Sequence, residues 1–139
     1  KGFELHVVGR IEDELAKQLK NMCPAVHISG QVVDLEKYYS KCSVALIPEV
    51  MGGGFKLKVA EAGMYKKAIF SVKGAITKSN LKPNIHFTES KNLDELMNNL
   101  IDKEKKPNEL WKMAELAHEK VNEEYTQEAI SKELKPLLQ

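Results

Sequence analysis

Gly52-Gly53-Gly54 stands between a hydrophobic run that ends in proline, Val44-Ala45-Leu46-Ile47-Pro48, and a helical pattern that starts at Phe55. Consecutive glycines favour neither strand nor helix, so the chain must turn here from one element into the other. The same turn lets an anion approach the backbone closely. The free N–H groups and the positive end of the following helix then favour negative charge. The run lacks the Gly-Lys-Ser/Thr of a Walker A loop and is no GxGxxG fingerprint.

On both sides of this turn, short apolar runs alternate with helical patterns. Leu5 to Gly9, Val26 to Gly30, Ser43 to Pro48, Ala68 to Val72 and Ile85-His86-Phe87 read as strands. Glu12 to Met22 reads as a helix with Leu15, Leu19 and Met22 on one face, ended by Pro24. Asp34 is an N-cap candidate for a short helix through Lys41, and Phe55 to Lys66 follows the glycines. This alternation predicts an α/β fold: a Rossmann-like parallel sheet flanked by helices. The last third changes character. Asn92–Asp102 and Leu110–Tyr125 carry helical apolar stripes, and Thr126 caps a final helix bearing Ile130, Leu134 and Leu137.

A chain of 139 residues without a repeat or flexible linker reads as one domain. Its 21 basic and 20 acidic side chains leave a formal charge of +1, which argues against nucleic acid as a partner. Cys23 and Cys42 sit beside apolar elements outside any CxxC pair, as buried thiols of a reduced, cytoplasmic protein would. The stretch Lys1-Gly2-Phe3-Glu4 does not read as a signal peptide, and no apolar run in the sequence approaches about 18 residues.

Gly54, Lys58 and Glu61 share one helical face (i, i+4, i+7), and Leu57, Ala60 and Met64 form an apolar stripe beside it, expected to pack on the sheet. In open α/β sheets ligands bind beyond the carboxyl ends of the strands, where residues 48–54 fall. There a carboxylate can accept hydrogen bonds from a ribose diol, and a lysine can neutralise a diphosphate. A plain turn followed by a surface Lys–Glu pair accounts for the same residues. His6, His27, His86 and His118 are too scattered to predict a metal site. His6, His27 and His86 fit hydrogen-bonded core positions, Asp34, Glu36 and Glu49 fit a cap and surface carboxylates, and Trp111, Tyr38 and Tyr39 fit packing roles.

The order of these segments resembles the C-terminal, nucleotide-sugar-binding half of GT-B fold glycosyltransferases of the "group 1" (family 4-like) kind. Leu5-His6-Val7-Val8-Gly9-Arg10 is similar to the family's L-x-I-V-G-x strand, and Val26 to Leu35 to its V-x-F-x-G-x-V-x-D-L segment. Gly53 to Ala62 resembles G-G-G-x-R/K-L-K-x-x-E-A, and Glu123-Glu124-Tyr125-Thr126 the x-x-Y-S before the last helix. The match runs over nearly the whole chain. It implies a donor-binding domain that lacks its first strand and the N-terminal acceptor domain, hence a fragment of a bacterial enzyme of polysaccharide biosynthesis.

The resemblance also assigns roles. Glu61 matches the second glutamate of the E-x7-E motif and holds the ribose hydroxyls. Gly53 occupies the place of the first glutamate, a departure that leaves the contact to the sugar open. Gly53, Gly54 and Phe55 meet the sugar and diphosphate through the backbone. Lys56, Leu57 and Lys58 occupy the R/K-L-K positions, from which the lysines reach phosphate oxygens. Lys58 and Glu61 are the catalytic candidates. Val32 and Val33 fall beside the base, and Gly9 and Arg10 end a strand near the same cleft. The implied reaction moves a sugar, with retention and without a metal or other cofactor, from a UDP- or GDP-linked donor to an acceptor hydroxyl. The acceptor, a glycan or lipid-linked sugar, and any membrane association would come through the absent half. A nucleotide-sugar 2-epimerase, which shares the fold, and a flavodoxin- or receiver-like binding module are the rival readings. The second fits poorly, since Gly9-Arg10 and Pro48-Glu49 stand where a receiver carries acidic residues.

Overall fold

Parallel strands joined through helices make up the computed structural model, which describes residues 2–51 and 56–126. The chain divides into two compact units whose boundary falls between Lys41 and Cys42.

The first unit contains β1 (Leu5–Val7), α1 (Asp13–Met22), β2 (Val26–Ile28) and α2 (Glu36–Tyr39). β1 and β2 pair in parallel, with Leu5 opposite Val26, His6 opposite His27 and Val7 opposite Ile28. Two strands of three residues span about 10 Å, whereas the ten-residue α1 runs about 15 Å. The expected apolar face of α1 is accordingly not covered: Leu15 and Met22 are exposed and no residue of the helix is buried. The helix expected from Asp34 to Lys41 shrinks to the single turn of α2. The Asp34 side chain still serves its start, its Oδ1 accepting the Glu36 N–H at 2.9 Å. Cys23 is exposed and Cys42, in the second unit, half-buried, so the expected buried thiols are not found.

The second unit contains β3 (Val44–Ile47), α3 (Leu57–Met64), β4 (Ala68–Val72), β5 (Thr88–Ser90), α4 (Leu93–Glu104) and α5 (Pro107–Tyr125). The strands run parallel in the order β3-β4-β5. All five residues of β4 are buried, four apolar and the serine Ser71, as a central parallel strand covered on both faces requires. Around it Ile47, Val59, Phe87, Leu96, Ala117 and Val121 complete the core. Asn92 caps α4, its Oδ1 accepting the Glu95 N–H at 2.9 Å, and Pro107 opens α5, where a missing N–H costs nothing. The α5 stripe buries Met113, Ala114, Ala117 and Val121, while Trp111, expected to pack, is exposed.

Two readings shift. The last strand is Thr88–Ser90, not Ile85-His86-Phe87. The Asn84 N–H closes a turn onto the Phe87 carbonyl at 2.7 Å, so the apolar triplet is spent on that turn and on burying Phe87. The buried face of α3 is Val59, Ala60, Ala62 and Gly63, whereas Leu57 and Met64 are exposed. α3 packs against both β4 and α5, and the small residues on this face set how closely α5 approaches. A Cβ on Gly63 would stand 2.5 Å from Val121 Cγ2. The helix expected around Ile130, Leu134 and Leu137 lies outside the described residues.

Candidate functional site

Gly53, Gly54 and Phe55 also lie outside the described residues. The elements on either side of them are placed. β3 ends at Ile47 and α3 begins at Leu57, with Lys56 at its N-cap in an extended conformation (φ −91°, ψ 116°). The first turn of α3 contains a lysine and no acidic residue, and no side chain among the described residues caps it. Its leading amides and the helix dipole are thus left to favour an anion.

Three charged side chains occupy this region. Lys56 Nζ donates to the Ala75 carbonyl at 2.8 Å, fastening the start of α3 to the turn after β4. Lys58 Nζ is ion-paired with Glu49 Oε1, in the segment following β3. This pair ties the two ends of the 50–57 stretch. Glu61 follows Lys58 by three residues and so lies on the same side of the helix. It is half-buried, and its carboxylate has no hydrogen-bond or ion-pair partner among the described residues. Leu57 is 69% exposed. Lys56, Lys58 and Glu61 thus lie together at the start of α3, with both lysines engaged by protein acceptors.

A concavity of about 480 Å³ lies at the carboxyl ends of the three strands. Pro48 follows β3, Val72 and Lys73 end β4, and Lys91 and Asn92 join β5 to α4. This is where open α/β sheets hold ligands. Lys73 and Lys91 supply two ammonium groups that the sequence reading passed over. The signal available was position: each is the first residue after a strand.

In the first unit, Gly9 and Arg10 follow β1, and Val32 and Val33 follow β2. The Gly9 N–H donates to the Gly30 carbonyl at 2.6 Å, with φ +128° at Gly9 and +46° at Gly30, values that side-chain-bearing residues rarely adopt. Arg10 is exposed, Val32 half-buried and Val33 fully exposed.

A larger concavity, about 680 Å³, is lined by Ser79, Leu81, Lys82, His86 and Lys120 among others. His86 Nδ1 accepts the Lys82 N–H at 2.8 Å. Burial lowers the His86 pKa, and the charges of Lys120 and Lys82 lower it further. Beside it Lys120 pairs with Glu124 at 3.0 Å and with Glu123 at 3.3 Å. Burial pushes the Glu124 carboxyl up, but hydrogen bonds from Lys120, Asn80 and Tyr125 outweigh it and hold the group below the usual carboxylate range.

His6 and His27, expected in the core, instead stack on each other at a ring-centroid distance of 4.7 Å, with His27 53% exposed. Each is the middle residue of its strand, and the parallel register sets the two side by side.

The family described as glycosyl transferases group 1 matches residues 1–102. No curated protein matches the chain. Among solved structures, HepE from Anabaena in complex with UDP is similar at TM-score 0.84 and 14% identity, over 97% of this chain and 40% of that one. Sucrose-phosphate synthase from Thermosynechococcus elongatus is similar at 0.81 and 19%, over 97% and 37%. A glycosyltransferase from Rickettsia africae is similar at 0.82 and 15%, over 99% and 39%. The chain therefore spans about two fifths of the length of these structures.

Proposed function

Since this chain belongs to the group 1 glycosyltransferases, we propose that it is the donor-binding part of an enzyme that transfers a sugar from a nucleoside diphosphate to an acceptor hydroxyl, with retention and without a metal. The observation that carries this reading is the start of α3. A helix end free of acidic side chains, Lys58 in its first turn and, one turn later, a Glu61 without a partner among the described residues follow directly on a glycine run. A diphosphate meets the N-terminal amides, and Lys58 exchanges Glu49 for a phosphate oxygen when the donor binds. Glu61 receives the ribose hydroxyls. Gly53, Gly54 and Phe55 approach the sugar and diphosphate through their N–H groups. Lys56 acts as a brace, because its ammonium already holds the Ala75 carbonyl. Gly9 and Arg10, and Val32 and Val33 for the base, are the donor contacts proposed for the first unit taken by itself.

Catalysis of this kind rests on positioning and on stabilising the charge that develops on a diphosphate leaving group. The donor is a UDP- or GDP-sugar. UDP is tested first, because HepE from Anabaena was crystallised with UDP and with UDP-glucose. The acceptor, a glycan or lipid-linked sugar, is held by a further domain, and attachment to a membrane, where it occurs, belongs to that domain. No described helix is long and apolar enough to cross a membrane.

Calorimetric titration with UDP, GDP and their glucose or mannose conjugates should give saturable heat; silence at about millimolar nucleotide, the weak end of specific affinities, would refute donor binding. In a protein that includes the acceptor-binding domain, Glu61→Ala should lower donor kcat/KM about tenfold or more, since a charged hydrogen bond contributes ~1.5–3 kcal/mol.

A further inference from the structure

We propose that Glu4, His6 and His27 form a binding site for a divalent transition-metal cation of the Zn²⁺ class on the β1–β2 pair. The site lies wholly within the first unit and does not depend on the donor-binding reading. Its geometry follows from the strands. Residues two apart on a strand share a face, which puts Glu4, just before β1, on the side of His6. The parallel register sets His27 directly beside His6. Neighbouring strands lie about 4.8 Å apart, and the two imidazoles stack at 4.7 Å with 15° between their planes.

Both rings turn a nitrogen toward the same carboxylate oxygen. Glu4 Oε2 lies 3.8 Å from His6 Nε2 and 4.0 Å from His27 Nε2, and the three ligand atoms all lie within 4.8 Å of one another. Tetrahedral Zn²⁺ with bonds of about 2.0–2.1 Å needs its ligand atoms ~3.4 Å apart. Closing the triangle takes a swing of the exposed Glu4 side chain and a tilt of the rings, with the backbone left in place. No described side chain outside the trio hydrogen-bonds any of its members, so the contacts that change are the ring stack, which opens, and the Glu4 pairings within the trio. Two imidazoles and one carboxylate suit Zn²⁺ and its neighbours in softness, unlike the all-oxygen sets that suit Mg²⁺ or Ca²⁺. Water fills the remaining position. The bound ion clips β1 to β2, two strands of three residues each.

The test is a Zn²⁺ titration of the tag-free chain carrying Cys23→Ser, which removes the exposed thiol as a competing ligand. Calorimetry should show one saturable equivalent. Histidine ring resonances followed by NMR should move for His6 and His27 and stay fixed for His86 and His118. His6→Gln, His27→Gln and Glu4→Gln should each weaken binding about tenfold or more, as loss of even an outer-shell partner costs 10–100-fold. The proposal is overturned by the absence of saturable heat to about millimolar Zn²⁺, by shifts at His86 or His118 instead, by binding that persists in the His6→Gln/His27→Gln double variant, or by unchanged affinity in Glu4→Gln. The resonance arm uses the parent sequence at all three positions, so it decides the matter even where a variant fails to fold.

Discussion

Gly63→Ala probes the contact that sets α3 against α5. At an unobstructed helix interior this change stabilises by about 1 kcal/mol, because alanine loses less backbone entropy than glycine. Here the new methyl would stand 2.5 Å from Val121 Cγ2 and 3.1 Å from Val121 Cβ, with the Ala117 carbonyl at 3.5 Å. Val121 is fully buried, and a β-branched side chain in a helix has one strongly favoured rotamer. The clash must therefore be relieved by moving α5, and overpacking of this kind costs ~1–3 kcal/mol. The move would also stretch the contact of His118 Nδ1 with the Gly63 carbonyl, now 3.0 Å. Subtracting the propensity gain leaves about 1 kcal/mol of net destabilisation, or a Tm lower by ~4–8 °C in a unit of this size. Urea unfolding followed by circular dichroism measures it. Val121→Ala alone should cost ~1–3 kcal/mol through lost burial and a cavity. Combined with Gly63→Ala it should cost less than the two changes summed, by about 1 kcal/mol or more, because the new methyl enters the vacated space. A stabilised Gly63→Ala variant, or additivity within ~0.5 kcal/mol, would show that the two helices are not in contact through this residue.

Ser71 is fully buried in β4 and its hydroxyl has no hydrogen-bond partner among the described residues. An unpaired buried hydroxyl costs ~1–3 kcal/mol, so Ser71→Ala should raise the urea midpoint; a lowered midpoint would reveal a partner. The unfolded chain takes up a proton on His86 near 6.5, while the folded chain holds it off to lower pH, so this stability is complete above 6.5 and declines as pH falls through the folded value. His86→Gln should flatten the slope of stability against pH between about 7 and 5, and an unaltered slope would remove His86 as its source. Lys120→Met deletes the main hydrogen-bonding cation beside Glu124 and should raise the Glu124 pKa in a carboxyl NMR titration; no movement would mean that Asn80 and Tyr125 suffice.

What could be read from the chain depended on how local the deciding interaction is. β4 was legible as a strand because a short, mostly apolar run without alternation fits the buried centre of an α/β sheet, although nothing local shows that its one polar residue, Ser71, is buried too. Asn92, Pro107 and the α5 stripe were legible for a similar reason, as cap, helix-start and period each act within a turn or two. The start of α3 was legible as a place, and Lys58 and Glu61 on it as neighbours, since helical spacing fixes that. The partners of those lysines were not. Glu49 and the Ala75 carbonyl reach Lys58 and Lys56 from elements 9 and 19 residues away, across strand–helix junctions that no periodicity records.

The amino-acid order determined the alternation of strands and helices, the place where α3 starts and the group 1 glycosyltransferase pattern, because backbone preference and side-chain spacing along one element suffice for each. Tertiary structure alone decided which side of α3 is buried, that Lys73 and Lys91 share a concavity, and that His6 lies against His27. Those outcomes depend on strand register and on how closely two helices approach, which are settled by packing between segments distant in the chain.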